Sequence, residues 1–212
     1  PISVVTLQNG MGNAEEIARI IPADRIYVGL CFICAMREKP GHVNHLEGGN
    51  IQFAPFIPTP EGTEKARELS ELFANAGIKT RAFDAAEQIQ WYKLVWNIPF
   101  NGLCLALGGI SIAELYQNPE NVMRARRIME EVVQAAKARG YALPEDLVEF
   151  HLSRTETMGA FIPSSAVDYN EGRPVEYTAI WGDPLSKARQ AGASVPEWEL
   201  LDKAIRKRLN IN

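Results

Sequence analysis

The organisation of this chain is decided by one apolar stretch, Trp91-Tyr-Lys-Leu-Val-Trp-Asn-Ile-Pro-Phe-Asn-Gly-Leu-Cys-Leu-Ala-Leu107. Within it, Lys93, Asn97 and Asn101 follow one another at intervals of four residues. In a helix, this spacing places three polar side chains in one stripe along one face. Because burying an unpaired amide costs roughly 2–7 kcal/mol, a polar stripe in such apolar surroundings predicts a functional site.

Composition excludes several classes of protein. The 212 residues include 46% hydrophobic and 23% charged residues, and the net charge of -4 argues against a general nucleic-acid surface. Three cysteines make no disulfide framework, so we expect a cytoplasmic protein. Cys31 and Cys34 have the spacing of a redox or zinc pair, but they lie in a strand pattern that points them to opposite faces. The sequence predicts no metal site, signal peptide or membrane segment.

The chain up to residue 83 reads as mixed α and β. Ile2–Leu7 is a strand pattern that leads into the glycine turn Gln8–Asn13 and then into a helical pattern at 14–21. This is half of a βαβ unit, although Glu15 takes the third glycine place of the dinucleotide fingerprint. Further strands are predicted at 26–36, 42–47, 51–56 and 78–83, with a hairpin turn at Gly48-Gly49 and a helix at 61–76.

From Asp84 onward the pattern is helical. Helices are predicted at 84–107, 120–139, 144–158, 176–191 and 197–209. Pro99 lacks an N–H group, so we expect it to kink the first of these helices and to free a carbonyl near Val95. The boundary divides the chain into two domains, 1–83 and 84–212, and the candidate site residues on both sides favour a cleft between them.

A second candidate segment runs from Ile162 to Glu176. Ser164 follows a proline and precedes a helical pattern, so its hydroxyl is expected either to cap that helix or to face a ligand anion. Gly172-Arg-Pro174 predicts a turn that brings Glu176 to the first turn of the next helix. Ordinary structural roles stay open for three residues. The helix dipole alone would favour Glu176, Asn9 is also a common turn residue, and Lys93 is also explained as a surface lysine whose stem lies on the core.

Taken together, these segments resemble the ketopantoate reductases (2-dehydropantoate 2-reductases). The resemblance covers essentially the whole chain, and its matching segments are Gln8–Gly12, Trp91–Asn101, Ser164 with Asp168, and Gly172–Glu176. It implies an α+β protein, in which a partial α/β Rossmann-type domain at 1–83 precedes an all-α domain at 84–212. The all-α domain would be similar to the C-terminal domain of 6-phosphogluconate dehydrogenase.

The resemblance also implies an activity, the NADPH-dependent reduction of 2-dehydropantoate to pantoate on the route to pantothenate and coenzyme A. Lys93 would be the general acid, and Asn9 would approach the nicotinamide. The residues implied to bind substrate are Asn97, Asn101, Ser164 and Glu176. The two asparagines would hold either the substrate or the lysine, and Glu176 is also assigned to the cofactor. The expected partners are a small 2-oxo acid and, in a homodimer, a second copy of the chain.

The sequence departs from the family pattern in several places. The beginning of the Rossmann domain is absent, so this chain alone is expected to bind NADPH poorly and to be inactive. Tyr177-Thr178 and Trp181 stand where the family more often has an isoleucine, an acidic residue and an asparagine, and Ser111 replaces an asparagine or threonine. Two alternatives follow: a related reductase of another 2-oxo acid, with pocket residues such as Trp181 altered, or a non-catalytic helical oligomerisation domain.

Overall fold

The structure is a computed structural model that describes residues 2–211, except for the side chains of Met36, Leu46 and Glu47. The chain forms two compact units, one up to Gln90 and one from Trp91 onward. The division falls inside the long helix Ala86–Ala106. The beginning of this helix therefore belongs to the first unit and its polar stripe to the second.

Within the described residues, the first unit is built on a four-stranded mixed sheet. Its elements are β1 (Val4–Thr6), α1 (Asn13–Ile17), a 3-10 turn (Ala23–Arg25), β2 (Ile26–Lys39), β3 (His42–Pro55), α2 (Pro60–Asn75) and β4 (Thr80–Ala82). The strands lie in the order β1-β2-β3-β4, with β1 parallel to β2, β2 antiparallel to β3, and β3 parallel to β4. The predicted glycine loop leaves the carboxyl end of β1, where α/β folds bind ligands.

The strands β2 and β3 form one long hairpin, which corrects the prediction of a turn at Gly48-Gly49. Pairing runs from Tyr27 opposite Pro55 to Lys39 opposite His42, so the chain reverses after Lys39. Gly48 and Gly49 lie inside β3 with φ angles of 80° and 118°, at a register shift. A Cβ atom at Gly48 would collide with the carbonyl oxygen of Phe32. These glycines therefore serve a bulge rather than a turn.

The sheet of the first unit is covered on both faces. One face packs against α1 and the beginning of the long helix, through Ala14, Ile26, Val28, Leu30, Ala54, Ala86 and Ile89. On the other face, the rings of Phe53 and Phe73 lie with centroids 5.0 Å apart, which seats α2 against β3. Alternate residues of a strand point to opposite faces, so Phe53 and Ala54 serve the two layers in turn.

The second unit is helical. It contains α3 (Ala86–Ala106) from Trp91 onward, then α4 (Ile112–Tyr116), α5 (Pro119–Ala138), α6 (Leu147–Glu156), α7 (Ser164–Asn170), the π-helical segment (Thr178–Gly182), α8 (Asp183–Gln190) and α9 (Pro196–Leu209). Its core includes seven large residues that are at most 1% exposed, namely Leu94, Val95, Ile98, Ile128, Val132, Trp198 and Leu201. A mixed α/β unit followed by a helical one confirms the predicted fold class. None of the described helices is long and apolar enough to cross a membrane.

The short helix α4 was not predicted from the sequence. Ser111 is its N-cap: the Ser111 hydroxyl accepts from the backbone N–H of Glu114, and the Glu114 carboxylate accepts from the N–H of Ser111. Serine, threonine and asparagine all serve well as N-caps. The departure of Ser111 from the family pattern is therefore explained by capping.

Candidate active site

The polar stripe predicted from the sequence lies on α3. Asn97 and Asn101 are 6% and 2% exposed, and Lys93 is half-buried. The helix continues through Pro99, whose missing N–H leaves the Val95 carbonyl without its helical donor. Helical geometry therefore places an ammonium and two carboxamides on one face within two turns.

Asn101 is bonded to the beginning of α7. Its side-chain oxygen accepts from the backbone N–H of Ser165 at 3.1 Å and from the hydroxyl of Ser164 at 3.4 Å. The N-cap position of α7 is Pro163, which has no side-chain acceptor. A helix leaves its first N–H groups unpaired unless something caps them. Asn101 supplies that cap from α3 and so fixes the position of α7.

Ser164 is the first residue of α7 and not its N-cap, so the alternative of a simple capping serine is wrong. Its contact with Asn101 is long for an O–H···O hydrogen bond, for which about 2.7–2.8 Å is usual. A hydroxyl held this weakly can donate to a ligand oxygen without a large loss within the protein. The structure thus brings Asn101 and Ser164 together.

Asn97 differs from Asn101 in its partners. Within the described part of the chain it makes no side-chain hydrogen bond, although it is buried. The fully enclosed side-chain atoms without a hydrogen-bond partner in this part belong to Gln52, Arg127, His151, Glu197 and Trp198, and Asn97 is not among them. The small exposed fraction of Asn97 therefore lies at its amide end, and a buried amide that opens outward is suited to bind a ligand.

Glu176 lies at the end of the turn that follows α7. Arg173 pairs with Asp168 at 2.8 Å and also with Glu171, and Gly172 has a φ of 67°, which together hold the turn. Glu176 is exposed, and its carbonyl accepts from the N–H of Ile180 at 3.1 Å. The turn predicted at Gly172–Pro174 is confirmed, and Glu176 precedes the helical residues rather than lying in them.

The helix predicted at 176–191 is wrong in its first part. The π-helical segment Thr178–Gly182 comes first, and α8 begins only at Asp183. Trp181 in this segment is fully buried, and its indole N–H donates to the carbonyl of Ile98 at 3.1 Å. Trp181 is therefore a core residue, and the expectation that it alters the pocket is wrong. A period of 3.6 residues does not distinguish an α turn from a π turn.

In the first unit, the loop after β1 carries the predicted residue Asn9. Asn9 is half-buried, and its carbonyl accepts from the side-chain amide of Asn13 at 2.9 Å. Gly10 and Gly12 have φ angles of 79° and 88°. The side chain of Gln90, which is 8% exposed, donates to the Gly10 carbonyl at 3.0 Å and holds the loop. Sequence reasoning missed Gln90, and no local signal distinguishes it from Gln88 in the same turns of α3.

Two further buried groups of the second unit, His151 and Cys104, are uncharged at neutral pH. Burial lowers the pKa of His151 to about 4 and raises the pKa of the Cys104 thiol to about 12. Neither group therefore supplies a charge or a thiolate to the second unit. Among the described residues, no three His, Cys, Asp or Glu side chains are grouped as metal ligands.

Two models of one known protein family match the sequence of this chain. The family "Ketopantoate reductase PanE/ApbA C terminal" matches residues 85–208, and "Ketopantoate reductase PanE/ApbA" matches residues 2–58. The chain belongs to the ketopantoate reductase family. The family match thus covers the α3 stripe, Ser164 and Glu176 together, and separately the loop that carries Asn9.

Individual proteins of this family are also similar to this chain in sequence and in fold. A 2-dehydropantoate 2-reductase of Nostoc is 36% identical over 197 residues, which cover 92% of this chain and 61% of that protein. The crystal structure of 2-dehydropantoate 2-reductase from Geobacter metallireducens is 37% identical with a TM-score of 0.90, over 97% of this chain and 68% of that one. D-mandelate dehydrogenase, solved with NADH and anilino(oxo)acetate, shares the fold with a TM-score of 0.86 at 23% identity, over 98% of this chain and 68% of that one. The chain spans less than two thirds of the length of the Nostoc relative.

Proposed function

We propose that the full-length protein reduces 2-dehydropantoate to pantoate with NADPH, and that Lys93 is its general acid. Family membership supports the reaction. The single structural observation that carries the proposal is the α3 stripe, where a buried amide with its polar end open, Asn97, lies one turn from Lys93. On the other side, one turn away, Asn101 holds Ser164.

Lys93 is suited to the acid step. When a hydride reaches a ketone carbon, negative charge develops on the ketone oxygen, and a positioned ammonium can stabilise that charge and donate the proton. A free lysine side chain, whose pKa is about 10.4, is charged at neutral pH and can donate a proton. Half-burial on α3 restricts the Lys93 stem, which favours one position of the ammonium.

The neighbouring groups are assigned to substrate binding. Asn97 can both donate to and accept from a substrate hydroxyl, and Ser164 can donate to a carboxylate. Asn101 acts in substrate binding through Ser164, since its own oxygen is bonded to α7. Glu176 is exposed at the end of its turn, where its carboxylate can accept from a substrate hydroxyl.

The cofactor assignment rests on family membership and on the loop after β1. When bound, NADPH supplies the hydride. The loop with Asn9 leaves the carboxyl end of a strand, which is where dinucleotides bind in related folds, and Gln90 holds its backbone. We assign Asn9 to the nicotinamide end of the cofactor, with Glu176 as a second contact. The choice of NADPH over NADH, the homodimer and the cytoplasmic location are proposals on the same basis.

A second candidate function is reduction of a different small 2-oxo acid. Tyr177 and Thr178 directly follow Glu176, where the family more often has an isoleucine and an acidic residue. A panel of 2-oxo acids, assayed with NADPH and with NADH on the full-length protein, separates the two candidates. We expect the highest kcat/KM with 2-dehydropantoate and NADPH.

The mechanism is tested by Lys93→Ala in the full-length protein. Loss of a general acid lowers kcat by about 10²–10⁴-fold, so we expect a fall in that range with the melting temperature retained. The matched control is Lys203→Ala, which removes an exposed lysine on α9 and should leave kcat unchanged. Full activity of Lys93→Ala would exclude this mechanism. A folded wild-type protein without turnover on any 2-oxo acid would favour the oligomerisation domain.

A further inference from the structure

The chain after Glu176 forms a π turn. The segment Thr178–Gly182 is π-helical. It is joined to Glu176 by an α-type bond, since the N–H of Ile180 donates to the Glu176 carbonyl at 3.1 Å. A π turn is uncommon, contains one residue more than an α turn, and occurs frequently at functional sites. Because its geometry is less favourable than that of an α-helix, it requires stabilising contacts, and two side chains supply them here.

Tyr177 provides the first contact. Its hydroxyl donates to the Oδ1 atom of Asp202 on α9 at 2.6 Å, and Asp202 is only 7% exposed. Burial and the bond to Asp202 raise the pKa of Tyr177 to about 12, against a smaller opposing effect of Arg206. The hydroxyl therefore remains a donor throughout the neutral range, and the start of the π turn is fixed to α9.

Trp181 provides the second contact. Its ring stacks on Tyr177 with centroids 6.4 Å apart and planes at 27°, and its indole N–H bonds to Ile98 on α3. A Cβ atom at Gly102 would lie 2.9 Å from the indole nitrogen, so the indole ring fits against α3 only because this position is a glycine. One end of the stacked pair is thus held by α9 and the other end by α3.

The attachment to α3 is next to the polar stripe. Ile98 and Gly102 form one ridge of the helix, and Asn97 and Asn101 form the neighbouring ridge, about 100° around the axis. We propose that Tyr177 and Trp181 form a clamp that holds Glu176 at a fixed position relative to this stripe for binding the 2-oxo acid. This inference rests on the proposed function, because it assigns Glu176 to the substrate.

The clamp consists of positioning residues. Trp181 is fully buried, and the Tyr177 hydroxyl is bonded to Asp202, so both act through the backbone of Glu176. Without the Tyr177–Asp202 bond, the π turn loses one anchor and the Glu176 carboxylate samples more positions. Since Lys93 is not part of the clamp, substrate binding weakens while the chemical step is largely retained.

The test is Tyr177→Phe in the full-length protein, measured as KM and kcat for 2-dehydropantoate with NADPH. Loss of one well-placed contact to a substrate group raises KM by about tenfold, and we expect kcat to stay within about twofold of wild type. The matched control is Tyr116→Phe. Tyr116 also has a partly buried hydroxyl, which donates to the Leu152 carbonyl at 3.1 Å, and its pKa is likewise raised to about 12 by burial.

The outcomes separate the clamp from a general loss of stability. If both variants lower the melting temperature but only Tyr177→Phe raises KM, the clamp is supported. Asp202→Asn, which keeps an oxygen acceptor for the Tyr177 hydroxyl, should retain a KM near that of wild type. Equal KM values for Tyr177→Phe, Tyr116→Phe and wild type overturn the clamp alone. A wild-type protein that reduces no 2-oxo acid overturns the proposed function, and the clamp with it.

Discussion

Asn97 and Asn101 lie one turn apart on the same face of α3, and both are almost fully buried. Of these two, only Asn101 makes side-chain hydrogen bonds to other described residues, and its bonds cap α7 and hold Ser164. Asn101 therefore stabilises the fold, whereas Asn97, one turn away on the same face, remains open to a ligand. The comparison shows that a residue's role depends on what the rest of the chain brings to it, and not on its helical position.

The largest expected effect is the loss of stability in Asn101→Ala. This variant leaves the Ser165 N–H unpaired in a buried place, where a lost partner costs about 1–3 kcal/mol. For a domain of this size, each kcal/mol lowers the melting temperature by about 2–4 °C. We expect a decrease of about 2 kcal/mol in the free energy of unfolding, measured by chemical denaturation of the full-length protein.

Asn118→Ala is the matched control for this measurement. Asn118 caps α5 by accepting from the N–H of Glu120 at 3.0 Å, but this cap is exposed to water. Water can replace an exposed cap more easily than a buried one, so its removal should cost only about 1 kcal/mol. If Asn101→Ala cost no more than Asn118→Ala, the contrast between the two turns of α3 would not hold.

Asn97→Ala should show the opposite behaviour. Since no hydrogen bond within the described chain is lost, we expect the free energy of unfolding to change by less than about 1 kcal/mol. The loss of a substrate contact should instead raise the KM for 2-dehydropantoate by about tenfold. Steady-state kinetics and denaturation of the same preparation measure both quantities. A large stability loss with an unchanged KM would assign Asn97 to the fold.

The site could be predicted from the sequence where local periodicity decides it. The spacing of Lys93, Asn97 and Asn101 required only the period of a helix, and the glycines at 108 and 109 marked its end correctly. The link from Asn101 to Ser165 joins positions 64 residues apart, and no local pattern encodes such a contact. The π turn and the bulge at Gly48 were missed for the same reason, because each depends on a partner in another element.

Glu131 is a carboxylate that, like Asn101, caps a helix from a different helix. From α5, its carboxylate accepts from the N–H groups of Glu197 and Trp198 at 2.9 and 2.8 Å, and so caps α9 as Asn101 caps α7. Burial raises the pKa of Glu131, against the lowering effect of these two hydrogen bonds. The folded protein therefore binds this proton more tightly than the unfolded chain, and the contribution of Glu131 to stability falls as pH rises through the range from its usual pKa to the raised one.

The smallest expected effect is therefore a pH-dependent difference between wild type and Glu131→Gln. The glutamine amide keeps an acceptor for the N–H groups of α9 but cannot titrate. The stability of the Glu131→Gln protein therefore lacks this pH dependence. We expect wild type to gain stability relative to Glu131→Gln as pH falls from 7 to 4.5, because the raised pKa of Glu131 lets the folded protein take up its proton before the unfolded chain does. Denaturation of both proteins across this range measures the difference. A gain for wild type as pH rises would mean that the two backbone bonds outweigh burial, so that the ionised cap is the more stable form in the fold.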